Sequence, residues 1–255
     1  MSFPQFKNKH SLDPFFSPFE FLEHQKMRGR YPDFKPPRSA IFCFSSALMK
    51  HIKKEYNAKR VRGFQGISYL VSFNKKRILV IGNFGIGAPV TVANMEEMIA
   101  FGIKRFLIVG KAGCLQPKLP TGYFVICNRA IRDDGTSHHY AKNSVYAYPS
   151  RQLVRQTKRV FVRSGVPHSV GSSWTMDAPY CETKQEVEYY RKKGVLTVEM
   201  EAAAVFSVAK IRRVQAGAVF TISDHLGETE WVPRFQESHK TLEQLFKLAL
   251  RILTQ

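Results

Sequence analysis

Acidic residues are scarce in this chain. Its 255 residues carry 20 Asp and Glu against 39 Lys and Arg, a formal charge of +19 at pH 7. A balance this basic attracts polyanions. The cations, however, fall in short clusters at element ends and turns (Lys53-Lys54, Lys75-Lys76-Arg77, Arg191-Lys192-Lys193, Arg212-Arg213). That is the pattern of solvated surface, and a nucleic-acid partner is not expected. Cysteine is also sparse. Cys43, Cys114, Cys127 and Cys181 lie far apart with no Cys-x-x-Cys pair, which fits reduced, buried thiols in a cytosol rather than a disulfide framework. No apolar run approaches the length of about 20 residues that a membrane span takes, and the first residues lack the apolar segment of a secretory signal. The expected location is the cytoplasm, with no membrane partner. Two phosphate-binding signatures are missing as well: there is no G-x-x-x-x-G-K-[ST] loop, and Gly82-x-x-Gly85-x-Gly87 reverses the dinucleotide fingerprint. His138 and His139 are adjacent rather than at ligand spacing, so they are read as lining a loop and no metal is expected.

Hydrophobic residues make up 44% of the chain, enough for a substantial core. Residues 1–38 form an aromatic and basic extension without a sustained period, including Pro14-Phe15-Phe16-Ser17-Pro18-Phe19. It is expected to dock on the domain or on a neighbouring subunit, since exposed Phe favours aggregation. From residue 39 to 255 short apolar runs alternate with amphipathic stretches. Strands are predicted near residues 40–44, 66–73, 77–81, 106–109, 122–127, 167–174, 195–198 and 216–222. Helices are predicted over 47–56, from Pro89 onward, over 152–163 and 200–210, and at the C-terminus, where Leu242, Leu245, Phe246, Ala249, Ile252 and Leu253 keep one apolar face. This alternation predicts a single α/β domain with a central mixed, largely parallel sheet flanked by helices. Ligands in such sheets gather at the carboxyl ends of strands. Two glycine turns, Gly82–Gly87 and Gly110-Lys111-Ala112-Gly113, and the strand end Ser223-Asp224 are therefore expected to face one crevice. Gly85 and Gly110 let backbone approach a ligand there.

Glu199 and Glu201 flank Met200 where a strand runs into an Ala-rich, apolar helix. A carboxylate in that position needs a partner, because an unpaired buried charge is costly. Helix capping explains one acid; two suggest chemistry. Asp224, ending an apolar strand, is either a solvated turn residue or a functional one.

Val198-Glu199-Met200-Glu201-Ala202-Ala203-Ala204, followed by Ser223-Asp224-His225, resembles the purine nucleoside and uridine phosphorylase family, and most of all its uridine-phosphorylase-like prokaryotic branch. The resemblance extends from about residue 36 to the C-terminus and includes Ala130-Ile131-Arg132-Asp133-Asp134-Gly135-Thr136-Ser137. It implies a single-domain phosphorylase-like fold and cleavage of the N-glycosidic bond of a purine or pyrimidine nucleoside by phosphate. It also implies no cofactor beyond phosphate as co-substrate, and a homo-oligomer. By the same resemblance Glu201 holds the ribose hydroxyls with Met200 and Glu199 beside it, and Asp224 assists the departing base. Trp174, Tyr180 and Ser223 form the base pocket. Lys111, with Gly110 and Gly85, is expected at the anion site on the residues' own chemistry, and Arg62 resembles the arginine that a neighbouring subunit contributes.

The chain departs from that pattern at two places. Ile108-Val109-Gly110-Lys111 stands where the family's phosphorylases carry Arg-Val-Gly-Ser, and Phe44-Ser45-Ser46-Ala47-Leu48 stands where they carry Gly-Asp-Pro-x-Arg. Lys111 can replace the arginine as a point cation without its bidentate fork. Two other readings stay open: a nucleosidase that uses water, and a catalytically silent protein that binds nucleosides or nucleic acid.

Overall fold

The computed structural model describes residues 3–227 and 230–255. In chain order its elements are α1 (Pro18–Met27), β1 (Ser39–Cys43), α2 (Ser46–Glu55), β2 (Lys59–Val61), β3 (Ile67–Phe73), β4 (Lys76–Gly82), α3 (Ala88–Phe101), β5 (Arg105–Cys114), β6 (Phe124–Asp133), α4 (Gly135–Tyr140), β7 (Tyr146–Ala147), α5 (Arg151–Arg163), β8 (His168–Met176), α6 (Lys184–Lys192), β9 (Thr197–Glu199), α7 (Ala202–Ile211), β10 (Gln215–Leu226), β11 (Trp231–Pro233) and α8 (His239–Leu253).

One mixed sheet runs through the molecule in the order β11-β10-β6-β8-β9-β5-β1-β4-β3-β2, with β7 beside β6. Because β10 also pairs with β5, strands β5, β9, β8, β6 and β10 close on themselves into a ring. β1, β4, β5 and β10 are mutually parallel, so their carboxyl ends share one edge. β2, β3 and β11 join by antiparallel pairing.

The two-residue side-chain period of a strand sorts the core into two layers. Ala40 and Phe42 of β1 and Phe106 and Ile108 of β5 pack with α3 and α7. Their neighbours Ile41, Cys43, Leu107 and Val109 pack with α2, α5 and α8 on the other face. β1 is buried along its whole length, which explains its continuous apolar run. Arg212, just past α7, grips Glu96 of α3 through Nε and Nη2 at 2.8–3.0 Å, holding these two helices together.

Several expectations change here. Gly110-Lys111-Ala112-Gly113 is not a turn but the second half of β5. β10 likewise runs past Ser223 and Asp224 to Leu226. His138 and His139 lie on the short helix α4, not in a loop. The N-terminal segment contains α1, capped by a reciprocal pair in which Ser17 Oγ accepts from the Glu20 amide and Glu20 accepts from the Ser17 amide. This helix packs on α3 and buries Leu22, while Phe15, Phe16 and Phe19 remain exposed. Cys43, Cys114 and Cys127 are buried free thiols. Burial pushes Cys43 up to about 12 and Cys114 up to about 11. Cys181 is exposed, contrary to its reading as a buried residue, because it sits in a surface 3-10 turn.

Candidate active site

A cavity of about 760 Å³ opens at the carboxyl ends of β1, β5 and β10, the edge where open α/β sheets place their ligands. Apolar side chains form much of its wall, among them Phe44, Ile86, Ile108, Met200, Phe220 and Leu226. Its acidic and basic lining residues are Lys111, Glu182, Glu199, Glu201 and Asp224, so Lys111 is the sole Lys or Arg among the described residues there.

Glu201 stands at the junction of β9 and α7, in the N-cap position of that helix. Its Oε1 accepts the Gly87 amide at 2.6 Å, and Gly87 is the N-cap of α3. The N-terminus of α3 thus points at this carboxylate, which favours negative charge there, while the Glu201 side chain makes no capping bond to α7. Gly87 has φ of 101°, a conformation that suits glycine. Glu199 does different work. Its Oε1 accepts Thr175 Oγ1–H at 2.6 Å, and its Oε2 accepts the amides of Glu201 and Ala202 at 3.0 and 2.8 Å. It borders the cavity but is committed to closing the first turn of α7. Burial raises both carboxyls, and the Glu199 charge raises Glu201 further. Ser173 Oγ–H is a further donor to Glu199 Oε1 at 3.4 Å, so Glu201 is the more strongly raised of the two.

Asp224 owes its orientation to a β-bulge. Ile222 pairs with Ala112 and Asp224 with Gly113, leaving Ser223 as the extra residue. Asp224 is 8% exposed; its Oδ1 accepts Ser223 Oγ–H at 2.6 Å and its Oδ2 accepts the Trp231 indole N–H at 2.9 Å. A Cβ on Gly113 would stand 2.7 Å from Leu226, 3.0 Å from Val198 and 3.2 Å from Asp224 Oδ2, so this strand glycine makes room for the site. On the neighbouring strand β5, Lys111 Nζ donates to the Phe235 carbonyl at 2.6 Å. Burial lowers the Lys111 ammonium, against the pull of the Asp224 charge. Trp231 and Phe235, on and just past β11, therefore lie over both Asp224 and Lys111.

Glu182, Trp231 and Phe235 escaped the sequence reading. Glu182 follows the 3-10 turn Pro179–Cys181, and burial, with the charges of Asp224 and Glu186, pushes its carboxyl up to about 7. A carboxyl raised on folding contributes stability at low pH that is lost as the pH climbs through its folded pKa. Glu182→Gln lacks that loss. The melting temperature of the variant is therefore expected to gain on that of the wild type as the pH goes from about 5 to 8; a constant difference across that range would refute the shift.

Of the expected residues, Met200, Glu199, Glu201, Tyr180, Ser223, Asp224, Gly110 and Lys111 line this cavity. Tyr180 stands at its rim, fully exposed. Trp174 does not belong to it: the indole is 0% exposed, packs against Tyr190 in a satellite core and donates to Asp133 at 2.8 Å. Gly85 does not line it either, because its turn presents Ile86 and the Gly87 amide instead. Arg62 borders a separate groove with Tyr31 and Glu97. Among the described residues no group of three His, Cys, Asp or Glu is placed to hold a metal, and no helix is long and apolar enough to cross a membrane.

Known proteins share both the sequence and the architecture. A purine nucleoside phosphorylase of DeoD type from Caldanaerobacter subterraneus is 31% identical over 201 residues, 78% of this chain and 84% of that one. A guanosine phosphorylase from Halorubrum lacusprofundi is 30% identical over 148 residues, 58% of this chain and 61% of the relative, which is under two thirds of its length. The uridine phosphorylase of Vibrio fischeri superposes with a TM-score of 0.73 at 22% identity, covering 85% of this chain and 92% of its own. The phosphorylase superfamily model matches residues 38–255, and the chain belongs to that superfamily.

Proposed function

We propose that this chain is a nucleoside phosphorylase that uses phosphate to release a purine or pyrimidine base and form ribose or deoxyribose 1-phosphate. The observation that carries the proposal is the placement of three groups around one apolar cavity: Glu201 on one wall, Asp224 on another, and Lys111 as the cation on β5. Glu201 holds the ribose hydroxyls, with Met200 against the sugar and Glu199 fixing the helix turn beneath. Tyr180 and Ser223 border the base. The base displaces the indole N–H of Trp231 from Asp224, and the phosphate displaces the Phe235 carbonyl from Lys111. A phosphate oxygen then bonds C1′ as the C1′–N bond breaks. The electron pair leaves with the base, and a proton from solvent, relayed by Asp224, neutralises it. Positive charge builds on the sugar in that transition state, as in other glycosyl transfers. Holding both reactants in line supplies much of the acceleration. The reaction calls for no metal or organic cofactor, and the cytoplasm is its expected place.

A panel of purine and pyrimidine nucleosides, assayed with and without phosphate, tests this reading. Base release is expected to require phosphate and to yield the sugar 1-phosphate. Lys111→Ala is expected to raise the phosphate KM about 10- to 150-fold, the worth of one hydrogen bond to a charged group, with little change in nucleoside KM. Full activity in phosphate-free buffer would instead identify a hydrolase. Binding without turnover would identify a silent binding protein.

The active form is a homo-oligomer in which a second copy adds to the site. A single lysine is little positive charge for a phosphate, and Phe15, Phe16 and Phe19 leave an exposed apolar arm suited to burial against a partner. Arg62 of a neighbouring copy is the candidate second cation. Sedimentation analysis is expected to find a dimer or a multiple of it; a fully active monomer would refute the arrangement.

A further inference from the structure

The strands that carry the cavity at their carboxyl ends carry a second recess at their amino ends. It has a volume of about 450 Å³ and is bordered by Arg38 before β1, Lys76 and Arg77 at the start of β4, and Arg105 at the start of β5. No Asp or Glu is among its described lining residues. Arg105 is the telling member. It is only 6% exposed, Nη1 donates to the Leu253 carbonyl at 3.3 Å, and Nη2 donates to Gln156 Oε1 at 2.7 Å. Its buried Nε has no hydrogen-bond partner. A buried guanidinium without a carboxylate is costly, and Arg38 adds like charge beside it, which together with burial lowers its basicity. Lys76 donates to the Thr254 carbonyl and Arg77 reaches the Lys35 carbonyl at 3.5 Å. These partners are neutral; Gln255, the last residue of the chain, also borders the recess, so its α-carboxylate is the one anionic group beside the four cations among the described lining residues.

We propose that this recess binds a small molecule bearing two or more phosphates, at a site separate from the catalytic cavity. Four cations converging on one hollow exceed what a single phosphate needs, and guanidinium groups pair with phosphate oxygens bidentately. The carboxamides of Gln152, Gln156 and Gln215 border the same space and offer donors and acceptors to the rest of the ligand. At a strand rise of about 3.3 Å per residue, Arg105 lies about 20 Å from Lys111 along β5, too far for one small anion to touch both. The inference is thus independent of the nucleoside reading.

Calorimetric titration with pyrophosphate, ADP and inorganic phosphate, at constant ionic strength, tests it. The full chain carrying Lys111→Ala is used so that the catalytic anion position is silent. Pyrophosphate and ADP are expected to bind at least about tenfold more tightly than inorganic phosphate. Tighter binding of ADP than of pyrophosphate would assign the ligand to the nucleotides, and the reverse order to inorganic polyphosphates. Arg38→Ala with Arg77→Ala, both on the exposed rim, is expected to weaken that binding by about tenfold or more while phosphorolysis in the otherwise wild-type chain is unchanged. Arg105→Lys, which keeps the charge but loses the fork, is expected to weaken it also. Binding unaffected by the rim substitutions, or equal affinity for all three anions, would overturn the proposal.

Discussion

Asp224→Asn is expected to lower kcat on natural nucleosides by about 10²- to 10⁴-fold, the usual worth of a positioned proton donor, while leaving the fold intact. The side chain keeps its volume, and the amide oxygen still accepts one of the two hydrogen bonds that Ser223 and Trp231 now donate to the carboxylate. Losing the other costs about 1–3 kcal/mol at most. The mechanistic content lies in the substrate dependence. A nucleoside with an ordinary base needs a proton as the glycosidic bond breaks; a nitrophenyl riboside leaves as a stable anion and does not. The asparagine variant is therefore expected to lose far less activity on the nitrophenyl riboside. An equal loss on both substrates would mean that Asp224 positions the sugar or shapes the pocket rather than serving the leaving group. Natural-substrate activity within about tenfold of wild type would remove it from the chemistry altogether.

The sequence revealed those parts of this site whose signals are local. Glu199, Met200 and Glu201 sit where a strand passes directly into a helix, and a buried acid at a helix start is visible in the pattern alone. Even so, the division of labour between the two glutamates was not legible. It depends on Thr175 and Gly87, residues remote in sequence that only the folded sheet brings near. Glycine misled at Gly110 and Gly113, because a glycine pair after an apolar run signals a turn as readily as a strand pressed by its neighbours. The contacts that decide, from Leu226 and Val198 onto Gly113, are tertiary. Tryptophan misled in the same way. Trp174 and Trp231 look alike as residues, yet the strand holding Trp174 packs between β6 and β9 and buries the ring, whereas Trp231 lies on the edge strand β11 and reaches Asp224. One miss had a readable signal: Ser17-Pro18-Phe19-Glu20 has the form of a capping box with proline in the first turn, and it does open α1.

Glu201 offers a sharper test, because there activity and stability are expected to move in opposite directions. The carboxylate is buried and already pressed by the Glu199 charge. Glutamine keeps an oxygen for the Gly87 amide and removes the like-charge contact, so Glu201→Gln is expected to raise the melting temperature. The sign of the pH dependence follows from the raised carboxyl. Wild-type stability from this group is present at low pH and is lost as the pH rises through the folded pKa, so the advantage of the variant grows from about pH 5 to pH 8. The activity of the variant is expected to fall. Two charge-assisted hydrogen bonds to the 2′- and 3′-hydroxyls, at about 1.5–3 kcal/mol each, correspond to a loss of about 10²- to 10⁴-fold in kcat/KM. That loss is expected to shrink on a 2′,3′-dideoxynucleoside, on which the wild type has no hydroxyls to grip. A variant that is more stable yet equally impaired on both substrates would place Glu201 in the framework of the fold rather than on the sugar. A variant that is less stable would show that the paired carboxylates are not in conflict. A charge kept where it destabilises the fold, and used only when ribose is bound, is the trade expected of a binding residue.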